Sequence, residues 1–171
     1  DGMIAVVHNG IVENYSELKE MLLKKHNIRC KSETDSEVIA QLLSVFCADG
    51  LDLVDAMLKA TGMMKGAYAI GAIYKNDENK IVGYRKDAPL IACHTDEGTF
   101  IASDMTALLK HSKDVYFLDD DELVVCKADS MQILNRDKEV VEKEIFHIDW
   151  NIETAEKGGY DHFMLKEIHD Q

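Results

Sequence analysis

Proline is nearly missing from this chain: Pro89 is the only one in 171 residues. No Pro/Gly/Ser-rich tract divides one part from another, which argues against a linker between domains. Basic residues are also scarce. Nineteen Lys and Arg stand against thirty-two Asp and Glu, a net charge of −13, and a field of that sign repels nucleic acid and anionic membrane surfaces. Neither is expected as a partner. No apolar run approaches the roughly 20 residues of a membrane span, and no charged-then-apolar leader opens the sequence. The four cysteines, Cys30, Cys47, Cys93 and Cys126, show no C-x-x-C spacing, a usage that suits a reducing, cytoplasmic setting. His8, His26, His94, His111, His147, His162 and His169 never pair at metal-ligand spacing, so no metal and no cofactor is expected.

What is present is enough apolar material for a core. With 46% hydrophobic residues, a chain of this length can bury about 70% of its unfolded surface. One domain over residues 1–171 is the expectation. Met3 to His8 reads as a strand buried on both faces, because it lacks clean alternation. Leu18, Met21 and Leu22 recur at helical spacing from Tyr15 to about His26, and Asn27 is a reasonable stop after Lys24-Lys25-His26. A short strand is expected at Ile28 to Lys31. Thr34 and Glu37 stand three apart before Val38, Ile39, Leu42 and Leu43, the pattern of a capping box opening a helix that ends near Asp49-Gly50. A third helix is expected from about Leu51 to Thr61.

Beyond Gly66 the texture becomes β-rich. Two runs flank Asn76-Asp77-Glu78-Asn79 as in a hairpin. Further strands are expected at Leu90 to Cys93, Thr99 to Ala102, Val115 to Leu118, Leu123 to Lys127 and Met131 to Leu134, with a short helix at Met105 to His111 and a last helix from about Tyr160. Asp119 to Glu122 reads as a solvated acidic turn, and "NRDKEVVEKE" as a turn followed by a charged strand. Many antiparallel strands with grouped helices describe an α+β layered domain.

Two short stretches carry chemistry. Asn9-Gly10 closes the first strand run and is a favoured hairpin turn. The same pair offers two side-chain donors and a backbone N–H that no side chain obstructs, as an oxyanion hole requires. Asp35 in "TDSE" is either a first-turn acid favoured by the helix dipole or an anion able to meet a substrate ammonium. His8, beside the pair, is either a hydrogen-bonded structural residue or a neighbour of the site.

Taken together, "VVHNGIVEN", "SETDSEVIAQLL", "KGAYAIGAIY", "FIASD" and "GYDHFMLKEIHDQ" resemble the glutamine-hydrolysing domain of the class II glutamine amidotransferases. The resemblance covers essentially the whole chain and implies an N-terminal-nucleophile, αββα sandwich of antiparallel sheets. It implies that Asn9 and Gly10 form the oxyanion hole and that Gly10 and Asp35 bind L-glutamine. The last two motifs favour the branch that delivers ammonia to an isomerase domain, making glucosamine 6-phosphate from fructose 6-phosphate. The amidophosphoribosyltransferase branch, or a binding or regulatory module without a nucleophile, are the alternatives.

The family's nucleophile is a cysteine at the first position, activated through its own α-amine, but residue 1 here is Asp. The family's arginine-bearing segment for the substrate carboxylate has no counterpart either. The expectation is a domain lacking its nucleophile segment in front and its isomerase domain behind, inactive as it stands. Sheet edges uncovered by such a loss would recruit a second copy, so a homodimer is expected.

Overall fold

The computed structural model describes residues 2–149; the helix expected from about Tyr160 lies outside them. The first three helices are Tyr15–His26 (α1), Asp35–Ala48 (α2) and Leu53–Thr61 (α3). Helix α1 buries Leu18 and Leu22. It ends at Asn27, whose left-handed φ of 55° lets its N–H reach Leu23 O while Ile28 N–H reaches Leu22 O. Helix α2 is apolar on nearly every side toward its C-terminus because it lies in the middle of the helical layer, burying Leu42 through Cys47. Asp52 caps α3 by accepting from Asp55 N–H.

The strands are Ile4–Val12 (β1), Gly66–Tyr74 (β2), Asp77–Lys86 (β3), Ile91–Thr95 (β4), Gly98–Ala102 (β5), Asp114–Phe117 (β6), Leu123–Cys126 (β7), Met131–Leu134 (β8) and Phe146–His147 (β9). A one-turn helix, Met105–Leu108 (α4), starts at Asp104, which accepts from Thr106 N–H. All named strand pairs are antiparallel. They form a five-stranded sheet, β1-β2-β3-β7-β8, and a four-stranded sheet, β5-β4-β6-β9.

Three apolar clusters stack these layers. Leu22, Ile39, Leu42 and Met57 from the helices meet Ile70 and Val82 of the first sheet. Ala69, Val124 and Cys126 of that sheet meet Leu90, Ala92 and Leu118 from the second. Ile91, Cys93 and Val115 pack beneath Leu108 and Ile148 on the far side. The order is helices, sheet, sheet, short helix, which is the expected αββα sandwich.

The structure departs from the sequence expectations in several places. Ile28 to Lys31 forms no strand: at one end Ile28 N–H goes to Leu22 O in the cap of α1, and at the other Glu37 takes the N–H groups of Lys31 (2.8 Å) and of Ser32 beyond it (2.6 Å). The same reach removes the expected capping box: Thr34 is the N-cap of α2 but makes no side-chain cap bond. The hairpin turns at Lys75-Asn76, and Asp77 already belongs to β3. After Arg136-Asp137 the charged stretch gives a single bridge, Leu134 to Val140, rather than a strand.

Strand β1 is not buried on both faces. Val7 and Ile11 are 69% and 67% exposed, and β1 is the edge strand of its sheet. The acidic turn is not simply solvated. Lys143 binds Asp119 (2.6 Å) and the buried Glu122 (2.8 Å), Arg85 pairs with Asp120 and Arg136 with Asp121. Cations from three other segments thus hold the turn in place.

Candidate functional site

Asn9-Gly10 is not a turn. Strand β1 runs straight through it, with Asn9 opposite Ala69, Gly10 opposite Tyr68 and Ile11 opposite Ala67. Glycine is required there for two reasons. Its φ of +116° lies where side-chain-bearing residues are strained, and a Cβ would fall 2.2 Å from Ala67 O and 2.8 Å from Tyr68 Cα. Gly66, at the other end of the same stretch of pairing, has the same φ and would bring a Cβ within 2.2 Å of Ile11 O.

The ladder fixes which way the backbone groups of β1 point. Lys75 N–H donates to Met3 O and Glu13 N–H donates to Lys65 O, so odd-numbered residues face β2 and even-numbered ones face the open edge. Gly10 N–H and Val12 N–H therefore share that edge. The Val12 N–H is taken by Asp35 Oδ2 at 2.9 Å. Asp35 opens α2, where its charge suits the positive end of the helix dipole, and the packing of α2 on β1 brings it across the strand edge one dipeptide from Gly10.

His8 stands on the helical face of β1, with its side chain 3% exposed. Its Nδ1 lies 3.1 Å from Ser36 Oγ and 3.6 Å from Asp35 Oδ1. Its Nε2 is buried with no partner among the described residues. Burial lowers the imidazole pKa below its ordinary value, and the charge of Asp35 opposes that shift. Asn9, the next residue, projects to the other face by strand alternation. It is exposed and lines a cleft of about 140 Å³ with Val7, Gly71, Leu90, Ile101 and Ser103.

The structure thus places Gly10 and Asp35 along one edge and Asn9 on the adjoining inter-sheet face. Sequence reasoning missed the Val12 N–H, a backbone group that no residue type could mark, and Ser36, which was noted only as part of a helix start. A larger cleft of about 690 Å³ at the opposite end of β1, lined by Met3, Ala5, Tyr74, Lys80 and Phe100 among others, includes neither Asn9, Gly10 nor Asp35.

No cysteine here is poised for attack. Burial raises the thiol pKa of Cys30, Cys47 and Cys93, and pushes Cys126 up to about 11, so each is almost wholly protonated at neutral pH. Among the described residues no group of three His, Cys, Asp or Glu is placed to hold a metal ion. Nor is any described helix long and apolar enough to cross a membrane.

Comparison with known proteins gives concordant matches. Residues 1–110 match a family model described as a glutamine amidotransferase domain. Among similar curated sequences, the glutamine–fructose-6-phosphate aminotransferase (isomerizing) of Clostridium perfringens is 49% identical over 168 residues, covering 98% of this chain and 27% of that protein. The protein of the same name from Methanothermobacter thermautotrophicus is 47% identical over 170 residues, covering 99% and 28%. The chain therefore spans little more than a quarter of the length of these relatives. Among solved structures, a glutamine phosphoribosylpyrophosphate amidotransferase from B. subtilis with ADP and GMP superposes with a TM-score of 0.66 at 19% identity, covering 91% of this chain and 36% of the other. A structure titled the allosteric regulatory enzyme of purine biosynthesis gives 0.63 at 20%, covering 89% and 35%. At that identity these two establish the fold alone.

Proposed function

The chain belongs to the glutamine amidotransferase domain family, and from that premise we propose that it binds L-glutamine along the open edge of β1 as the glutamine-hydrolysing part of a glutamine–fructose-6-phosphate aminotransferase. The observation that carries the reading is the docking of Asp35 beside Val12, on the edge that Gly10 N–H also faces. The Asp35 carboxylate takes the α-ammonium of glutamine. The Asn9 side-chain amide and Gly10 N–H donate to the oxygen of the side-chain amide as it becomes an oxyanion.

The reaction needs a thiolate to attack the amide carbon, expel ammonia and leave a glutamyl thioester that water then hydrolyses. The raised pKa of all four thiols argues that none of them is this nucleophile. The 171-residue polypeptide is therefore expected to release no ammonia by itself. Fructose 6-phosphate is the proposed acceptor, through an isomerase domain of the whole enzyme. Relatives at 49% and 47% identity favour it over a phosphoribosylpyrophosphate acceptor, whose support is a fold likeness at 19–20%. A cytoplasmic setting and a second copy of the chain across the open β1 edge complete the proposal; light scattering that shows only monomer would remove the latter.

The test is a chimera. This chain replaces the matching segment of the Clostridium perfringens enzyme, and glutamine-dependent ammonia release is measured. Activity is expected, and Asn9→Ala in that chimera should lower kcat by about 10²–10³-fold, as loss of one oxyanion donor does. A chimera with an intact isomerase reaction but no ammonia release, or one indifferent to Asn9→Ala, would refute the assignment.

A further inference from the structure

Asp35 is bonded on one side and flanked on the other. On one, Val12 N–H donates to Oδ2 at 2.9 Å; on the other, the imidazole of His8 approaches Oδ1 at 3.6 Å while its Nδ1 makes the 3.1 Å bond to Ser36 Oγ. The carboxylate side chain keeps 22% exposure, so the two contacts steer it without sealing it. His8 itself contributes nothing to an open surface, being 3% exposed, and it lies opposite Ile70 in the middle of the β1–β2 pairing. A polar ring in that place needs a reason beyond packing, since an apolar side chain would fill the volume without leaving Nε2 unpartnered among the described residues.

We propose that His8 is a positioning residue for the amine subsite: through its Nδ1 bond to Ser36 it holds the first turn of α2, and with it Asp35, against the open edge of β1. The proposal rests on the reading of Asp35 as the group that meets the α-ammonium. In this role the proton sits on Nδ1, which then donates to Ser36 Oγ and faces the Asp35 carboxylate, the tautomer that the nearby anion favours. The ring is neutral, because an imidazolium would bury a second N–H without an acceptor. Neutrality matters to the site. A neutral donor orients the carboxylate and leaves its full charge for the ligand, whereas an imidazolium at 3.6 Å would compete with an incoming ammonium.

Geometry separates this role from simple space-filling. The Nδ2 of an asparagine side chain occupies nearly the place of histidine Nδ1, while the amide nitrogen of glutamine reaches nearer to Nε2. Amide hydrogen exchange at Val12 reads the Asp35 contact directly, and exchange at Ile70 reads the stability of the sheet. In the 171-residue protein, His8→Gln and His8→Leu are expected to speed Val12 exchange roughly tenfold relative to Ile70, and His8→Asn to leave it near wild type. Ser36→Ala, at a half-buried helix start, removes the other end of the bond and is expected to speed Val12 exchange in the same sense. Glutamine titration of the same variants in the chimera with the Clostridium perfringens enzyme should rank them in the same order, with Asp35→Asn weakest.

Val12 exchange that is unchanged in His8→Gln, or that changes only in step with Ile70, would overturn the positioning role. If Val12 behaves as expected while glutamine binding by the chimera is untouched by Asp35→Asn, the contact stands and the amine-subsite reading falls.

Discussion

Replacing Gly10 by Ala tests the structural account of β1 most sharply, because two separate costs meet at one atom. The first is conformational. At φ +116° an L-residue with a Cβ is strained by about 1–2 kcal/mol. The second is steric. A Cβ 2.2 Å from Ala67 O is about 0.8 Å short of the 3.0 Å that real Cβ atoms keep, and the neighbours are backbone atoms that cannot swing aside. Moving β1 off β2 by that distance would stretch ladder bonds from about 2.9 Å to about 3.7 Å, past the range in which they hold. Losing two of them removes about 2 kcal/mol. The total, about 3–4 kcal/mol, is a large share of the 5–15 kcal/mol that holds a typical domain and corresponds to a fall in Tm on the order of 10 °C.

Gly50→Ala supplies the control. Its φ is +95°, yet nothing lies within 4 Å of an added Cβ, so it carries only the conformational part, about 1–2 kcal/mol. The gain from restricting the unfolded chain is common to both variants. Urea and thermal unfolding followed by circular dichroism should place Gly10→Ala at least about 2 kcal/mol below Gly50→Ala. Equal losses for the two would refute the claim that Ala67 and Tyr68 crowd this position.

Other consequences are open to direct measurement. Glu37, bonded to the Ser32 hydroxyl and to the N–H groups of Lys31 and Ser32, has its carboxyl pulled down to about 2; its folded value lies below its unfolded one, so its contribution is present above about pH 4.5 and is lost as pH falls toward 2. His8, also depressed on folding by burial, acts in the same direction from about pH 6.5 downward, because the unfolded chain takes up the proton first. Urea midpoints should fall with acid across both windows, and Glu37→Gln should flatten the lower one. Lys143→Met strands the buried Glu122 and is expected to cost about 3 kcal/mol, with Glu122→Gln in the same chain restoring most of it. Thiol titration at pH 7 should find Cys47, Cys93 and Cys126 unreactive until the protein unfolds, given their burial and raised pKa.

Local pattern was enough to locate most elements. The 3.6-residue spacing of Leu18 and Leu22, and of Val38, Ile39, Leu42 and Leu43, marks α1 and α2 because each helix buries one continuous set of these residues. Asn27 ends α1 where expected because asparagine tolerates the left-handed backbone found there. The motif residues Asn9, Gly10 and Asp35 were also legible as residue types able to donate to an oxyanion or meet a cation. Ile28 to Lys31 has strand-forming residues but no strand, since the competitors for its end N–H groups are the Leu22 carbonyl, which takes Ile28, and the Glu37 carboxylate, which takes Lys31.

Sequence by itself located the three long helices and most of the strands, and it showed which side chains carry usable charge and donors. Tertiary structure alone decided that Asn9-Gly10 is strand rather than turn, that the acids from Asp119 to Glu122 are tied down by Arg85, Arg136 and Lys143, and that Asp35 grips Val12 while His8 holds Ser36. Those last two bonds span 23 and 28 residues. Helical and strand periodicities report only neighbours a few residues apart. A backbone N–H at a sheet edge becomes a site only when packing carries a distant carboxylate to it.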